Sequence, residues 1–389
     1  MKKVFSSIFL SFISILAIAQ PAPTRSSMEV LEDNRVKFTL YAPEAHAIGV
    51  TGEWMPGYGS FTVENGVFKR GPIVSEQLVK DDTGLWTVTL GPLKPNSYGY
   101  AYIVDGVMVT DPSNVIVKRD GATLLSVVFI PGKESELIEM KDVPHGSLNR
   151  VWYNSPTLSM NRRMLVYTPP GYETSKEKYP VLYLLHGGSI DEEGWTTMGK
   201  AHLIMDNLIA QGKAKPMIIV MPNGYANQTA APGEGPVLKN LPAQGMSFGY
   251  GAFEKSLVND IIPFIESVYR VKADKDNRAI TGLSMGGMHS FNTSLNNPDL
   301  FSYIGVFSAG VRTPSPEIEQ QLKTLRASNP KLYWVGCGLA DQLAYPGTKT
   351  LIELLNKTGF KPVYRESEGA HTWFTWRVYL PEFAVLLFK

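Results

Sequence analysis

The sequence predicts two globular parts, a small antiparallel β-sandwich followed by a larger α/β domain with a mainly parallel sheet. Apolar and polar residues alternate through residues 28–131, and this two-residue period is typical of half-buried strands. Beyond residue 145, short β-rich runs alternate with helical stretches, which indicates βαβ units with helices on both faces of the sheet. A chain of 389 residues is long enough for both parts to bury a core.

The first element along the chain is predicted to be a targeting segment. Two lysines precede an apolar run, Val4–Ile18, and Ala17-Ile18-Ala19 supplies a small-x-small cleavage site. The run is too short for a membrane-spanning helix, and no cysteine follows the cleavage site to carry a lipid. We therefore expect residues 1–19 to be a signal peptide cleaved near Ala19. The mature protein is then exported, periplasmic or extracellular, with no stable membrane anchor.

Charge and cysteine content argue against several kinds of partner and site. The 37 Lys and Arg residues balance 36 Asp and Glu residues, so there is no electrostatic case for a nucleic-acid partner. Cys337 is the single cysteine, so no intramolecular disulfide can form, and its apolar neighbours predict a buried structural thiol. No His, Cys or carboxylate cluster has metal-ligand spacing, and we expect neither a metal nor a cofactor. The sequence does not predict an oligomeric state.

The β-sandwich is predicted over residues 25–131. Asn65-Gly66 and Asp105-Gly106 indicate hairpin turns, because both turn positions need a positive φ. The charged, turn-prone residues 132–144 predict a linker to the α/β domain at 145–389. The alternating apolar positions are Val36, Phe38 and Leu40, then Trp86, Val88 and Leu90, then Tyr98, Tyr100 and Tyr102.

The α/β domain is predicted to contain seven strands. A helix is expected over Phe253–Tyr269, where apolar residues recur at helical spacing. The segment Asn223–Gly251 fits neither element, and a loop of that length in a compact domain is usually functional or disordered. The predicted strands are Met164–Thr168, Val181–Leu185, Met217–Met221, Ala279–Gly282, Tyr303–Phe307, Leu332–Val335 and Pro362–Glu366.

The stretch Gly282-Leu283-Ser284-Met285-Gly286 follows a predicted strand and opens an amphipathic segment. This is the context of a G-x-S-x-G nucleophile elbow, a turn so tight that side chains at 282 and 286 would collide with neighbouring backbone. The alternative is an ordinary helix-start turn with an unreactive serine, because short matches also occur by chance.

A serine nucleophile needs a histidine base and an acid that orients it. His371 is favoured as the base among the six histidines because it follows the last predicted strand. Asp341 is favoured as the acid because it follows the preceding strand, whereas Asp299 is interpreted as a helix cap. The order Ser284, Asp341, His371, each after a strand end, is that of an α/β-hydrolase.

Two backbone amides are predicted to stabilise the oxyanion of the transition state. One is the amide of Met285, at the N-terminus of the elbow helix, where the helix dipole favours negative charge. The other is the amide of Gly188, in a glycine-rich loop whose backbone can approach a substrate closely. We expect His186, at the start of this loop, to anchor the loop by hydrogen bonds and not to act as a second base.

With these motifs in place, residues 145–389 resemble carbohydrate esterase family 1, the group of feruloyl and acetyl-xylan esterases. The resemblance implies an ester hydrolase that forms an acyl-enzyme. It implies the nucleophile, acid and base roles for Ser284, Asp341 and His371 and the oxyanion roles for Met285 and Gly188. The matching stretches are Val166–Tyr172, Tyr183–Gly188, Gly282–Gly287 and Gly369–Trp373.

The N-terminal part resembles family-48 carbohydrate-binding modules, which are immunoglobulin-like sandwiches. Trp54 and Trp86 offer rings that sugars could stack on, but aromatic residues in alternating strands more often belong to the core, and we favour the core. The matching stretches are Tyr41–Ala45, Val50–Trp54, Gly84–Trp86 and Val104–Gly106.

The expected substrate is an esterified plant polysaccharide or oligosaccharide, such as feruloylated arabinoxylan. Export and the sugar-module-like part favour this substrate. Trp195, Trp373 and Trp376 are candidates for a flat pocket around an aromatic acyl group, with structural packing as the alternative for each. The open alternatives are an acetyl-xylan esterase, an enterobactin-type siderophore esterase and a non-catalytic glycan-binding protein.

Overall fold

The computed structural model of the chain describes residues 27–58, 61–64, 67–70, 73–121, 123–236 and 250–389. The predicted signal peptide and the Asn65-Gly66 turn lie outside the described residues. The long segment predicted at residues 223–251 is described up to residue 236 and again from residue 250.

The N-terminal part is built from short strands. They are β1 (Met28–Val30), β2 (Val36–Tyr41), β3 (Ile48–Gly52), β4 (Phe61–Glu64), β5 (Val67–Arg70), β6 (Glu76–Gln77), β7 (Val79–Lys80), β8 (Leu85–Leu90), β9 (Asn96–Val104), β10 (Val107–Val109), β11 (Val117–Asp120) and β12 (Thr123–Ile130).

These strands form two antiparallel sheets with a shared core. One sheet has the order β1-β2-β8-β7 and the other β11-β12-β9-β3-β6, with β10 paired to β9 and a separate β4–β5 hairpin. Phe38 and Tyr100 come from opposite sheets, and their ring centroids are 5.1 Å apart. The predicted alternation is confirmed along β2, where Val36, Phe38 and Leu40 are buried.

Of the two tryptophans named for this part, Trp86 is buried in its core and Trp54 is partly buried against that core. The Trp86 ring is buried, and its Nε1 donates to the carbonyl oxygen of Ala42 at 2.9 Å. The Trp54 ring stacks on Phe38 with a centroid distance of 5.4 Å. The expected core role is therefore confirmed for Trp86, whereas Trp54 packs at the margin of the core.

The α/β part contains eight strands and eight α-helices among the described residues. The strands are β13 (Ser147–Ser155), β14 (Met160–Thr168), β15 (Val181–Leu185), β16 (Ile218–Pro222), β17 (Arg278–Gly282), β18 (Tyr303–Phe307), β19 (Leu332–Gly338) and β20 (Val363–Ser367). The helices are α1 (Gly194–Thr197), α2 (Ala201–Ala210), α3 (Ala252–Ser256), α4 (Ile262–Val268), α5 (Met285–Asn296), α6 (Pro316–Ala327), α7 (Tyr345–Lys357) and α8 (Trp373–Ala384).

The sheet of the α/β part is mixed and mainly parallel. Its order is β13-β14-β16-β15-β17-β18-β19-β20, in which β14 pairs antiparallel with β13 and β16 and the later neighbours are parallel. Helices cover both faces, because α5 to α7 pack in one core and α1, α2 and α8 in the other. The carboxyl ends of β15, β17, β19 and β20 meet at one edge, where open α/β sheets bind ligands.

All seven predicted strands are present, and β13 is an additional strand that was not predicted. Most of its side chains are exposed, because it is the edge strand of the sheet, and it therefore lacks an apolar run. The predicted helix over Phe253–Tyr269 is found as α3, a π-helical turn at Leu257–Ile261, and α4. None of the described helices combines the length and apolarity needed to cross a bilayer.

The segment 132–144 packs against the α/β part. It begins with a short 3-10 helix, Lys133–Ser135, and Ile138 is buried in the core beside α2. The Nδ2 of Asn207, on α2, donates to the carbonyl oxygens of Leu137 and Glu139 at 2.9 and 3.0 Å. The predicted linker is therefore a fixed connection between the two parts.

Candidate active site

Ser284 lies on the tight turn between β17 and α5. Its φ of 53° and ψ of −115° are a conformation that residues other than glycine rarely adopt. A Cβ at Gly282 would lie 2.5 Å from the carbonyl carbon of Gly286, and one at Gly286 would lie 2.5 Å from the Leu185 oxygen. The turn therefore has the crowded geometry expected of an elbow.

The structure brings the three predicted side chains together. The Nε2 of His371 lies 3.0 Å from the Oγ of Ser284. The Nδ1 of His371 lies 2.8 Å and 3.0 Å from the two carboxylate oxygens of Asp341. A carboxylate can only accept, so Nδ1 carries the proton and the Nε2 lone pair faces the serine hydroxyl.

The acid and the base are held by their surroundings. Asp341 is fully buried, and its Oδ1 also accepts the backbone N–H of Ala344 at 2.9 Å. The His371 ring packs edge-on against Trp376, with centroids 5.0 Å apart, and its side chain is 15% exposed. Asp341 and Trp376 thus hold the imidazole in place, and its Nε2 faces Ser284.

The two predicted oxyanion amides lie beside Ser284. Met285 is the first residue of α5, where the N–H groups have no acceptor within the helix. Gly188 belongs to residues 186–191, called the glycine loop below, and lines the same cavity as Ser284, Met285 and His371. Both residues therefore adjoin Ser284, and the oxyanion role of their amides stays a prediction.

His186 anchors the glycine loop, as predicted. Its Nδ1 donates to the carbonyl oxygen of Gly187 at 2.8 Å, and its Nε2 accepts the N–H of Gly224 at 2.7 Å. Burial lowers the pKa of His186 from 6.5 to about 4, so the ring is neutral in the folded protein at neutral pH. A neutral ring with both nitrogens bonded cannot serve as a second base.

The buried His186 predicts a pH dependence of stability. Its pKa is lowered from 6.5 to about 4 on folding, so unfolding takes up a proton between these values. Its contribution to the free energy of unfolding is complete above pH 6.5 and is lost as the pH falls toward 4.

In urea denaturation, the stability advantage of wild type over His186→Gln should shrink as the pH is lowered across this window. Ser267→Ala, which changes an exposed side chain without a titratable group, should show no such trend. A constant wild-type advantage over His186→Gln would contradict the assignment.

A cavity of about 700 Å³ opens at Ser284 and His371. Its polar lining includes the carboxamides of Asn292, Asn296 and Gln321, and Tyr250 lies at one wall. The apolar lining is formed by Met288, Phe291, Leu295, Val311, Ile318 and Leu343. The site therefore combines a reactive centre with a largely apolar space for a substrate group.

The three tryptophans predicted to contact substrate do not line this cavity, and that prediction is wrong. Trp195, Trp373 and Trp376 are each at most 5% exposed, and the rings of Trp195 and Trp376 each pack edge-on against Trp373. The Nε1 of Trp195 donates to the carbonyl oxygen of Leu185, and that of Trp376 donates to the Oγ of Ser308. Trp195 thus supports the strand end that carries the glycine loop, and Trp376 supports the residue after β18 and packs against the His371 ring.

Several residues at the site were not found from the sequence. Met288, Phe291 and Leu295 recur every three or four residues after Ser284, and this spacing on the elbow helix was a usable signal. Tyr225 and Tyr250 had no such signal, because neither residue lies in a helix or a strand.

Cys337 and His289 carry side chains of a kind used in catalysis, but the contacts of both are structural. Cys337 is fully buried in β19, and burial raises the pKa of its thiol to about 12, in keeping with the predicted structural role. His289 pairs with Glu254 through Nδ1 at 2.9 Å and not with Ser284. Within the described ranges, no three His, Cys, Asp or Glu side chains are arranged to hold a metal ion.

The sequence profile of the Esterase family matches residues 155–385, more than half of the chain. The chain belongs to the Esterase family. This esterase is therefore a carboxylic ester hydrolase, and its relatives include enzymes named for feruloyl substrates.

Two curated relatives illustrate the similarity. An endo-1,4-beta-xylanase/feruloyl esterase from Xylanibacter ruminicola is 37% identical over 341 residues, which cover 86% of this esterase and 44% of that protein. Esterase Rv1288 from Mycobacterium tuberculosis is 31% identical over 230 residues, covering 55% of this esterase and 44% of that protein. The chain thus spans less than half the length of either relative.

Two solved structures share the fold. The CE1 ferulic acid esterase from Anaeromyces mucronatus is 28% identical with a TM-score of 0.56, covering 64% of this esterase and 93% of that chain. The enterobactin esterase from Shigella flexneri is 15% identical with a TM-score of 0.62, covering 92% and 94%. The second likeness is one of fold alone.

Proposed function

We propose that this esterase removes feruloyl or related hydroxycinnamoyl groups from plant cell-wall polysaccharide, such as arabinoxylan, or from its oligosaccharides. The observation that carries the proposal is the largely apolar cavity of about 700 Å³ at Ser284. Cavities of this size bury ligands much larger than an acetyl group. The names of the relatives from Xylanibacter ruminicola and Anaeromyces mucronatus support the same acyl group.

Acylation begins with the hydrogen bond between His371 and Ser284. Nε2 of His371 takes the hydroxyl proton while Oγ of Ser284 attacks the ester carbonyl carbon. The resulting oxyanion accepts hydrogen bonds from the backbone N–H groups of Met285 and Gly188. The carboxylate of Asp341 stabilises the imidazolium. The imidazolium then protonates the sugar oxygen as the ester bond breaks, which leaves the acyl group on Ser284.

Deacylation repeats these steps with water as the nucleophile. Nε2 of His371 takes a proton from water, and the hydroxide oxygen attacks the acyl carbon. A second oxyanion forms against the same two amides. The proton on His371 returns to Oγ of Ser284 as the acyl bond breaks, and the hydroxycinnamate leaves.

The cavity lining suits a phenolic acyl group. Met288, Phe291 and Leu295 lie on successive turns of α5 and offer an apolar wall to a phenyl ring. The carboxamides of Asn292, Asn296 and Gln321 supply donors and acceptors for hydroxyl or methoxy substituents.

The proposal includes export and a packing role for the N-terminal part. A cell-wall polymer is cleaved outside the cytoplasm, in agreement with the predicted signal peptide cleaved near Ala19. Trp86 lies in the core of the N-terminal part and Trp54 stacks on the core residue Phe38, which supports an immunoglobulin-like packing module over a sugar-binding surface at these residues. N-terminal sequencing of protein recovered outside the cytoplasm tests the cleavage site.

The substrate is tested by comparing kcat/KM for methyl ferulate, naphthyl acetate and a catecholate triester. We expect methyl ferulate to be preferred and ferulate to be released from arabinoxylan. A preference for acetate would favour an acetyl-xylan esterase, and a preference for the triester would favour a siderophore esterase. Either outcome would overturn the proposed substrate.

A matched variant tests whether the cavity holds the acyl group. Met288→Trp places a large ring in the cavity one turn from Ser284, so kcat/KM for methyl ferulate should fall at least about tenfold more than that for naphthyl acetate. Met140→Trp is the control, because Met140 is exposed and does not line the cavity. Equal effects of Met288→Trp on both substrates would place the acyl group elsewhere.

A further inference from the structure

The β11–β12 hairpin of the N-terminal part contacts the glycine loop of the α/β part. At its turn, Gly121 has a φ of 59°, and a Cβ there would lie 2.9 Å from the carbonyl oxygen of Ser189. Ser189 lines the cavity together with Gly188 and Ser284. The hairpin backbone is therefore in close contact with the loop that carries the second oxyanion amide.

An ion pair from the same hairpin holds the end of the glycine loop. Nη2 of Arg119 lies 2.5 Å from Oδ2 of Asp191, and its Nη1 donates to the carbonyl oxygen of Gly121 at 3.0 Å. The Asp191 side chain is 4% exposed and that of Arg119 is 24% exposed. One guanidinium thus connects the hairpin turn to a buried carboxylate of the loop.

The opposite side of the loop is held by the segment after β16. The N–H of Ser189 donates to the hydroxyl of Tyr225 at 2.6 Å, and Ser189 has a φ of 61°. A non-glycine residue keeps this conformation where its surroundings enforce it. Tyr225 and the hairpin together enclose Ser189, the residue directly after Gly188.

We propose that Arg119 is a positioning residue for ester hydrolysis, and that the β11–β12 hairpin fixes the glycine loop so that the Gly188 amide points at the oxyanion. The N-terminal part then contributes to the chemistry of the α/β part, even for an ester with no sugar attached. The inference rests on the proposed acyl-enzyme mechanism, because it needs an oxyanion at Ser284.

The test measures Arg119→Ala on naphthyl acetate, a substrate with no glycan to bind. Loss of the ion pair releases Asp191 and lets the loop shift, so kcat should fall about tenfold to a hundredfold with KM changed less than about threefold. Rates are expressed per active site, titrated with a phosphonate that reacts with the serine. Unfolding would lower the number of active sites and leave the rate per site unchanged.

Two further variants separate positioning from a stability effect. Arg119→Lys keeps the charge and should recover part of kcat, while Asp191→Asn in the Arg119→Ala background should add little to the loss. Arg35→Ala is the matched control, because Arg35 belongs to the same part and pairs with Asp33 at 2.6 Å on the surface. It should leave kcat unchanged.

A second readout addresses the oxyanion directly. A boronic acid that forms a tetrahedral adduct on Ser284 should bind Arg119→Ala about tenfold or more weakly, whereas ferulic acid should bind it nearly as well as wild type. Wild-type kcat per site and wild-type boronate affinity in Arg119→Ala would overturn the inference and leave the proposed function intact. A wild-type protein that hydrolyses no simple ester would instead overturn the proposed function.

Discussion

Replacing Ser284 with alanine is expected to lower kcat for naphthyl acetate and methyl ferulate by about a millionfold, as loss of the nucleophile does in serine hydrolases of this type. The Oγ of Ser284 is the atom that His371 faces at 3.0 Å, and no other hydroxyl occupies that position in the triad. A reaction through an acyl-enzyme cannot start without it. The rates are measured by steady-state hydrolysis with enough enzyme to detect the residual turnover.

The variant should remain folded, so the loss is chemical. Alanine retains the Cβ and the backbone of the turn, and we expect the melting temperature to change by less than about 2 °C. Ser267→Ala is the control, because Ser267 is exposed on α4, away from the site. A Ser284→Ala enzyme with more than a hundredth of wild-type kcat, or an acyl adduct mapped to another residue, would disprove the nucleophile assignment.

Replacing Asp341 with asparagine should lower kcat about ten-thousandfold while the fold is kept. The Asn oxygen can still accept the N–H of Ala344, which Oδ1 of Asp341 accepts at 2.9 Å. The amide NH2 group then faces Nδ1 of His371, so Nδ1 becomes an acceptor and the proton moves to Nε2. A protonated Nε2 cannot take the hydroxyl proton of Ser284.

The matched control is Asp299→Asn, which changes the aspartate that was rejected as the acid. Asp299 is 87% exposed and lies 3.5 Å from Nζ of Lys275, so its variant should hydrolyse both esters at wild-type rates. KM should change little in Asp341→Asn, because the carboxylate is buried behind His371 and does not line the cavity. Comparable rates in the two variants would show that Asp341 is not the acid.

Features set by local sequence were predicted well. The buried strands β15 and β18 have the predicted bounds, because continuous apolar runs end where glycine or polar residues begin. The proximity of Ser284, Asp341 and His371 was also predictable, because parallel strands bring their carboxyl ends to one edge of the sheet. The structure adds the distances, which show that the three side chains are connected by hydrogen bonds.

Features set by long-range packing were not predicted. Trp195, Trp373 and Trp376 follow strand ends just as site residues do, and the sequence does not reveal that their rings turn toward the core beneath the sheet edge. The pairing of Arg119 with Asp191 joins residues 72 positions apart in two different parts of the chain. Single-sequence patterns carry no information on such contacts.

The buried position of Cys337 has a practical consequence for experiments on this esterase. The thiolate is the form that reacts with maleimides, and a thiol with a pKa of about 12 and no solvent exposure yields almost none at neutral pH. A cysteine introduced on the surface would therefore be labelled selectively in the otherwise wild-type chain. Fluorophores or spin labels can be attached at chosen positions without first removing the native thiol.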